Sequence, residues 1–103
     1  MALLWNTVPN TKNLFVADLS DGENVGRFTV KRVPRRRKDP WQAHFEGSLR
    51  TGPTTLRREC QQNFIATEAE AKAICEGWMS GKPAGRVLME INAKRAAEAA
   101  SQA

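Results

Sequence analysis

One histidine and two cysteines are all that 103 residues hold of the side chains that most often carry metal or nucleophilic chemistry. Cys60 and Cys75 stand fifteen positions apart with no second histidine to complete a tetrahedral zinc set. Neither has a Cys-x-x-Cys partner. No apolar run approaches the ~20 residues that cross a bilayer, and the opening "MALLW" is too short, and lacks the basic start, for a signal peptide. No glycine-rich phosphate loop opens a helix: "SDGENVG" runs into a strand pattern without the lysine and spacing of a P-loop. His44, between Ala43 and Phe45, is the one candidate general base. A lone strand histidine is more often a polar surface residue. These absences argue for a protein that is not an enzyme and takes neither cofactor nor metal. They fit a single cytoplasmic domain, without membrane attachment, whose thiols stay reduced and buried.

What the chain does have is positive charge, unevenly placed. The net charge is +5, yet the span from Arg27 to Arg58 holds ten Lys/Arg against two acids, a local +8, and the remainder sums to −3. Within that span, "KRVPRRRK" (31–38) puts six cations into eight positions, most simply as a flexible connection ending at Pro40. One sign of charge gathered in one structural unit is what steers polyanions; overall basicity alone would not.

Hydrophobic spacing divides the chain into strands followed by helices. "NLFVADLS" (13–20) alternates as a first strand and closes on the turn-forming "SDGEN". "VGRFTVKRV" (25–33) sets Phe28 and Val30 against Arg27, Thr29 and Lys31, and Pro34 ends its pairing. "WQAHFEG" (41–47) places Trp41, Ala43 and Phe45 on one face. After a Gly52-Pro53 turn, "TLRRECQQNFIA" (55–66) forms a fourth strand with Leu56, Cys60 and Phe64 inward. Short connections between consecutive strands imply an antiparallel meander.

"TEAE" (67–70) is a capping box, in which Thr67 accepts from the Glu70 amide and the Glu70 carboxylate returns to the Thr67 amide. Behind it, Ala71, Ile74, Cys75 and Trp78 recur at helical spacing as a core-facing stripe, and Gly81 and Pro83 end the helix. "GRVLMEINAKRAAEAASQA" predicts a C-terminal helical segment, with a short strand at Val87–Ile91 as the alternative. Its Ala-rich tail from about residue 96 has nothing large to bury and should fray. The predicted fold over residues 1–103 is therefore one α+β domain: a four-stranded antiparallel sheet, a long amphipathic helix and a helical C-terminus. Phe28, Trp41, Phe45, Phe64 and Trp78 make most of the expected core.

The candidate site is Arg27, Lys31, Arg32, Arg35, Arg36, Arg37, Lys38, Arg57 and Arg58. Arginine suits a nucleic-acid backbone because its planar fork donates two hydrogen bonds to one phosphate. Trp41, beside the basic run, is a candidate for stacking on an unpaired base, against its place on the inward face of its strand. No RNP sequence, zinc finger or helix-turn-helix is present, so binding should depend little on base sequence. A charged, solvated sheet face also suits docking on an acidic or nucleic-acid-handling protein complex.

Across residues 25–79, the order of a Trp-led strand "WQAHFEG", a strand ending "NFIA", and "TEAEAKAICEGW" opening a helix resembles short bacteriophage and mobile-element accessory proteins. That group includes anti-CRISPR and anti-restriction inhibitors, and the resemblance implies a host protein complex as the alternative partner; no site residue carries over from it. The four-strands-then-helix order also looks like the single-strand-binding transcriptional coactivator and Whirly architecture, which implies a homodimer by analogy of fold.

Overall fold

The computed structural model describes residues 3–22, 24–50 and 56–102. Among these, five strands form one antiparallel meander: β1 (Asn6–Thr7), β2 (Leu14–Asp21), β3 (Asn24–Arg32), β4 (Trp41–Arg50) and β5 (Leu56–Ile65). Two helices follow, α1 (Glu68–Met79) and α2 (Ala84–Gln102). The four predicted strands are all present. The added β1 is a two-residue edge piece, exposed at both positions, with no alternation to betray it. The predicted Gly52-Pro53 turn, and Thr55 at the start of the fourth predicted strand, lie outside the described residues. The 86–92 region is helical, which settles the strand alternative at Val87–Ile91, and α2 at 19 residues is longer than α1 at 12.

Strand alternation sorts the side chains as apolar burial demands. Ala17, Leu19, Phe28, Val30, Ala43, Phe45, Leu49, Cys60 and Ile65 bury the inner face. Helix α1 lies over β4 and β3 and presents Ala71, Ile74, Cys75 and Trp78, all buried, as its spacing predicts. Phe28 and Phe45 meet at the centre with ring centroids 4.6 Å apart. The Phe45 ring also covers Gly26, where an added Cβ would come within 2.8 Å of Cε1. Gly26→Ala should therefore cost about 1–3 kcal/mol by overpacking, read as a lower urea midpoint; an unchanged midpoint would contradict this packing.

The helix cap holds only half of the predicted box. Thr67 Oγ1 accepts from the Glu70 amide at 3.2 Å, but the buried Glu70 carboxylate pairs with Arg95 of α2. Beyond Val87, Leu88 and Ile91, which pack toward α1, the α2 side chains from Asn92 to Ala100 are exposed. Both helices cover one side of the sheet, and the molecule is thin, 47 × 37 × 20 Å. The other face of the sheet carries no covering layer among the described residues.

Two of the residues predicted inward are outside. Trp41 pairs with Ile65 and Ala43 with Gln62, so Asn63 and Phe64 together oppose Gln42 in a β-bulge. The extra residue gives the inward place to Ile65, fully buried, and turns Phe64 out to 65% exposure at φ +61°. Leu56 is 44% exposed for a related reason. A second register shift, between Glu46 and Leu49, pairs it with Arg50, while Leu49 faces Arg57.

Candidate functional site

The 33–40 connection between β3 and β4 is held in shape by its own backbone. The Val33 amide donates to the Pro40 carbonyl at 2.7 Å and the Arg36 amide to the Val33 carbonyl at 3.3 Å, which closes the loop at its base. Pro40 is buried beneath it. This is a tied loop rather than the flexible connection its prolines suggest. Arg35, Arg37 and Lys38 point into solvent. Arg36 folds back and sets its guanidinium 4.1 Å from the centroid of the Phe64 ring, within cation–π range.

Lys31 and Arg32 lead into this loop on alternate faces of β3. Lys31 lies opposite Gln42 on the open face and Arg32 opposite Trp41. The Arg32 amide donates to the Asn13 carbonyl at 3.0 Å, and so brings exposed Lys12 to the same end of the sheet. Among the described residues, none of Lys12, Lys31, Arg32, Arg35, Arg37 or Lys38 meets a carboxylate at ion-pair distance.

The remaining predicted site residues are elsewhere. Arg27 donates from Nε to Asp18 Oδ1 at 2.7 Å across the β2–β3 ladder. That hydrogen bond holds the Asp18 carboxyl below its ordinary pKa and raises that of the arginine. Arg57 pairs with Leu49 and Arg58 follows it, whereas the basic loop joins β4 at Trp41. At the rise of a β-strand these points lie roughly 26 Å apart, beyond the ~8–10 Å screening length of physiological salt. The sheet thus brings Lys31, Arg32 and Arg35–Lys38 together and leaves Arg27, Arg57 and Arg58 out.

Beside the loop, the open face holds a polar pocket of about 210 Å³ lined by Thr29, Lys31, Gln42, His44 and Gln61. Asn63 orders its rim: its Oδ1 accepts from Gln42 Nε2 at 2.6 Å and from Gln61 Nε2 at 3.3 Å. His44 Nε2 lies 3.1 Å from Glu59 Oε1. Phe64 follows Asn63 directly, so pocket, exposed ring and cationic loop are contiguous.

Trp41 does not offer a stacking surface. It packs against the core with its ring 6.3 Å from that of Phe15, over which Lys72 places its ammonium. Cys60 and Cys75 are free and buried. Burial raises the Cys75 thiol pKa well above its usual value, opposite to the shift that activates a nucleophile. Among the described residues no group of His, Cys, Asp and Glu could hold a metal ion.

Phe64, Lys12 and Asn63 are the participants that sequence reasoning missed. A signal for Phe64 exists: Cys60 and Ile65 are an odd number of positions apart, and unbroken alternation cannot bury both. Comparison with models of known families, with curated proteins and with solved structures returns no match for the chain.

Proposed function

We propose that this protein is a non-enzymatic binding module that grips the phosphate backbone of nucleic acid through the loop end of its sheet. The observation that carries the reading is the group of exposed cations without ion-pair partners at one end, Lys12, Lys31, Arg32, Arg35, Arg37 and Lys38. A cluster that served solubility alone would gain from dispersal, because like charges this close repel. A polyanion converts that repulsion into binding by releasing its condensed counterions. The loop's closed base lowers the ordering cost on binding. Base contacts are few, so the affinity should be largely independent of sequence.

The test is retention of fluorescent DNA and RNA strands at ~50 mM salt, where phosphate contacts are strongest. With about five to seven phosphates engaged, affinity should fall with a log–log salt slope of roughly −3 to −5 on single strands. No retention at ~50 mM salt contradicts the proposal.

A second reading has its own support. The open face mixes signs, with Asp18, Glu46 and Glu59 beside Arg27, and Phe64 and Leu56 stand exposed at opposite ends of edge strand β5. Such a surface suits a protein partner, as for a phage-type inhibitor of a host complex. A stoichiometric partner captured from nuclease-treated bacterial lysate favours that reading; capture that disappears with nuclease favours nucleic acid. Among the described residues no helix is long and apolar enough to cross a membrane.

A further inference from the structure

Phe64 is an expensive residue to place where it is. A bulky side chain at positive φ strains its backbone, and such outliers gather at functional positions. The bulge that imposes this conformation leaves the ring 65% exposed when Ile65 has already filled the inward site. Neither packing nor backbone preference explains a phenylalanine here. Glycine or asparagine would take the same backbone with less strain.

The surroundings of the ring supply an explanation. Arg36 covers one side at 4.1 Å, and the exposure of the ring leaves the opposite side to solvent. One Arg36 nitrogen, Nη1, is buried without a hydrogen-bond partner, so the guanidinium is held by the ring rather than by an acceptor. Immediately beside lie Asn63 and the polar pocket with its Lys31, Gln42 and Gln61 amine and amide groups. Cationic Arg35, Arg37 and Lys38 project from the loop that carries Arg36.

We propose that Phe64 is a stacking platform for an unpaired nucleobase, which makes single-stranded nucleic acid the ligand of this site. This rests on the nucleic-acid reading above and narrows it. The base lies on the open side of the ring, its edge meets the amides at the pocket rim, and the flanking phosphates reach Lys31, Arg35, Arg37 and Lys38. Duplex cannot use the ring because its bases are already stacked and paired. Every base presents a π face, so this contact adds affinity without strong sequence preference.

The experiment compares a 20-nucleotide single strand, the duplex of the same sequence and an abasic strand with the same phosphates, by fluorescence anisotropy at one salt concentration. The native protein should bind the base-containing strand about 5- to 150-fold more tightly than the abasic one. Phe64→Gly removes the ring and relieves the backbone, so it should remain folded and lose that preference while keeping its abasic and duplex affinities. Phe64→Trp should retain it. Equal affinity for base-containing and abasic strands, or a Phe64→Gly protein that binds single strands as tightly as the native one, overturns the stacking role while phosphate binding stands. If none of the three probes binds, both readings fall and the exposed ring belongs to a protein contact.

Discussion

Trp78→Ala is expected to leave most of the chain unfolded at 37 °C. Trp78 is 3% exposed on the last turns of α1, among the side chains that join that helix to the sheet. Truncating a buried tryptophan costs about 3–5 kcal/mol, since both transfer free energy and a cavity are involved. A 103-residue domain has in total only about 5–15 kcal/mol to lose, and small domains lie toward the lower end. Reserve is scarce here because the fold is one sheet and one covering helix layer, with α2 reaching the core through Val87. Urea unfolding followed by far-UV circular dichroism gives the difference. A midpoint within error of the native protein would mean that α1 packs by another face.

The second large effect is on binding. Converting Arg35, Arg36 and Arg37 to alanine should lower single-strand affinity roughly 100-fold at ~0.1 M salt and flatten the log–log slope by about 2, at ~0.7 per lost phosphate contact. Folding should be little changed, because Arg35 and Arg37 are exposed and Arg36 gives up only its contact with Phe64, worth ~0.5–1 kcal/mol. Arg57→Ala with Arg58→Ala is the matching control. These two charges lie at the far end of β4 from the loop, and their removal should change affinity less than twofold. A triple variant that binds within twofold of the native protein contradicts the site. So does a double variant that loses as much as the triple.

That contrast marks where the sequence could be read and where it could not. Helix α1 was legible because everything that specifies it is local: Thr67 at the cap, the stripe Ala71–Ile74–Cys75–Trp78, and the Gly81–Pro83 stop. Strands β2 to β5 were legible from alternation. What alternation cannot supply is register. Arg57 was grouped with the basic loop on the assumption of a shared neighbourhood, and the register of β4 against β5 puts it at the other end. Phe64 was assigned to the core by counting twos from Cys60, and one inserted residue reversed it. Lys12 lies far along the chain from the loop and joins it only through the pairing of β2 with β3. Trp41 was legible in either of two roles, and the neighbouring Phe15 ring accounts for its place on the core side.

The partner surface is thus a property of topology more than of composition. The local +8 charge flagged the middle of the chain, but the meander selects which part of it acts together. It keeps Lys31 through Lys38 at one end, engages Arg27 with Asp18, and adds a cation from outside the charged segment.

The most direct test of this account is a titration of ¹⁵N-labelled protein with a short single-stranded oligonucleotide, followed by amide chemical shifts. The account predicts that the perturbed amides cluster at residues 31–42 and 61–65, with Lys12 and Asn13 beside them, while Arg57, Arg58 and the α1–α2 groove stay silent. Perturbations centred on Arg57 and Arg58 or on the helices, or a spectrum that does not change, would contradict it.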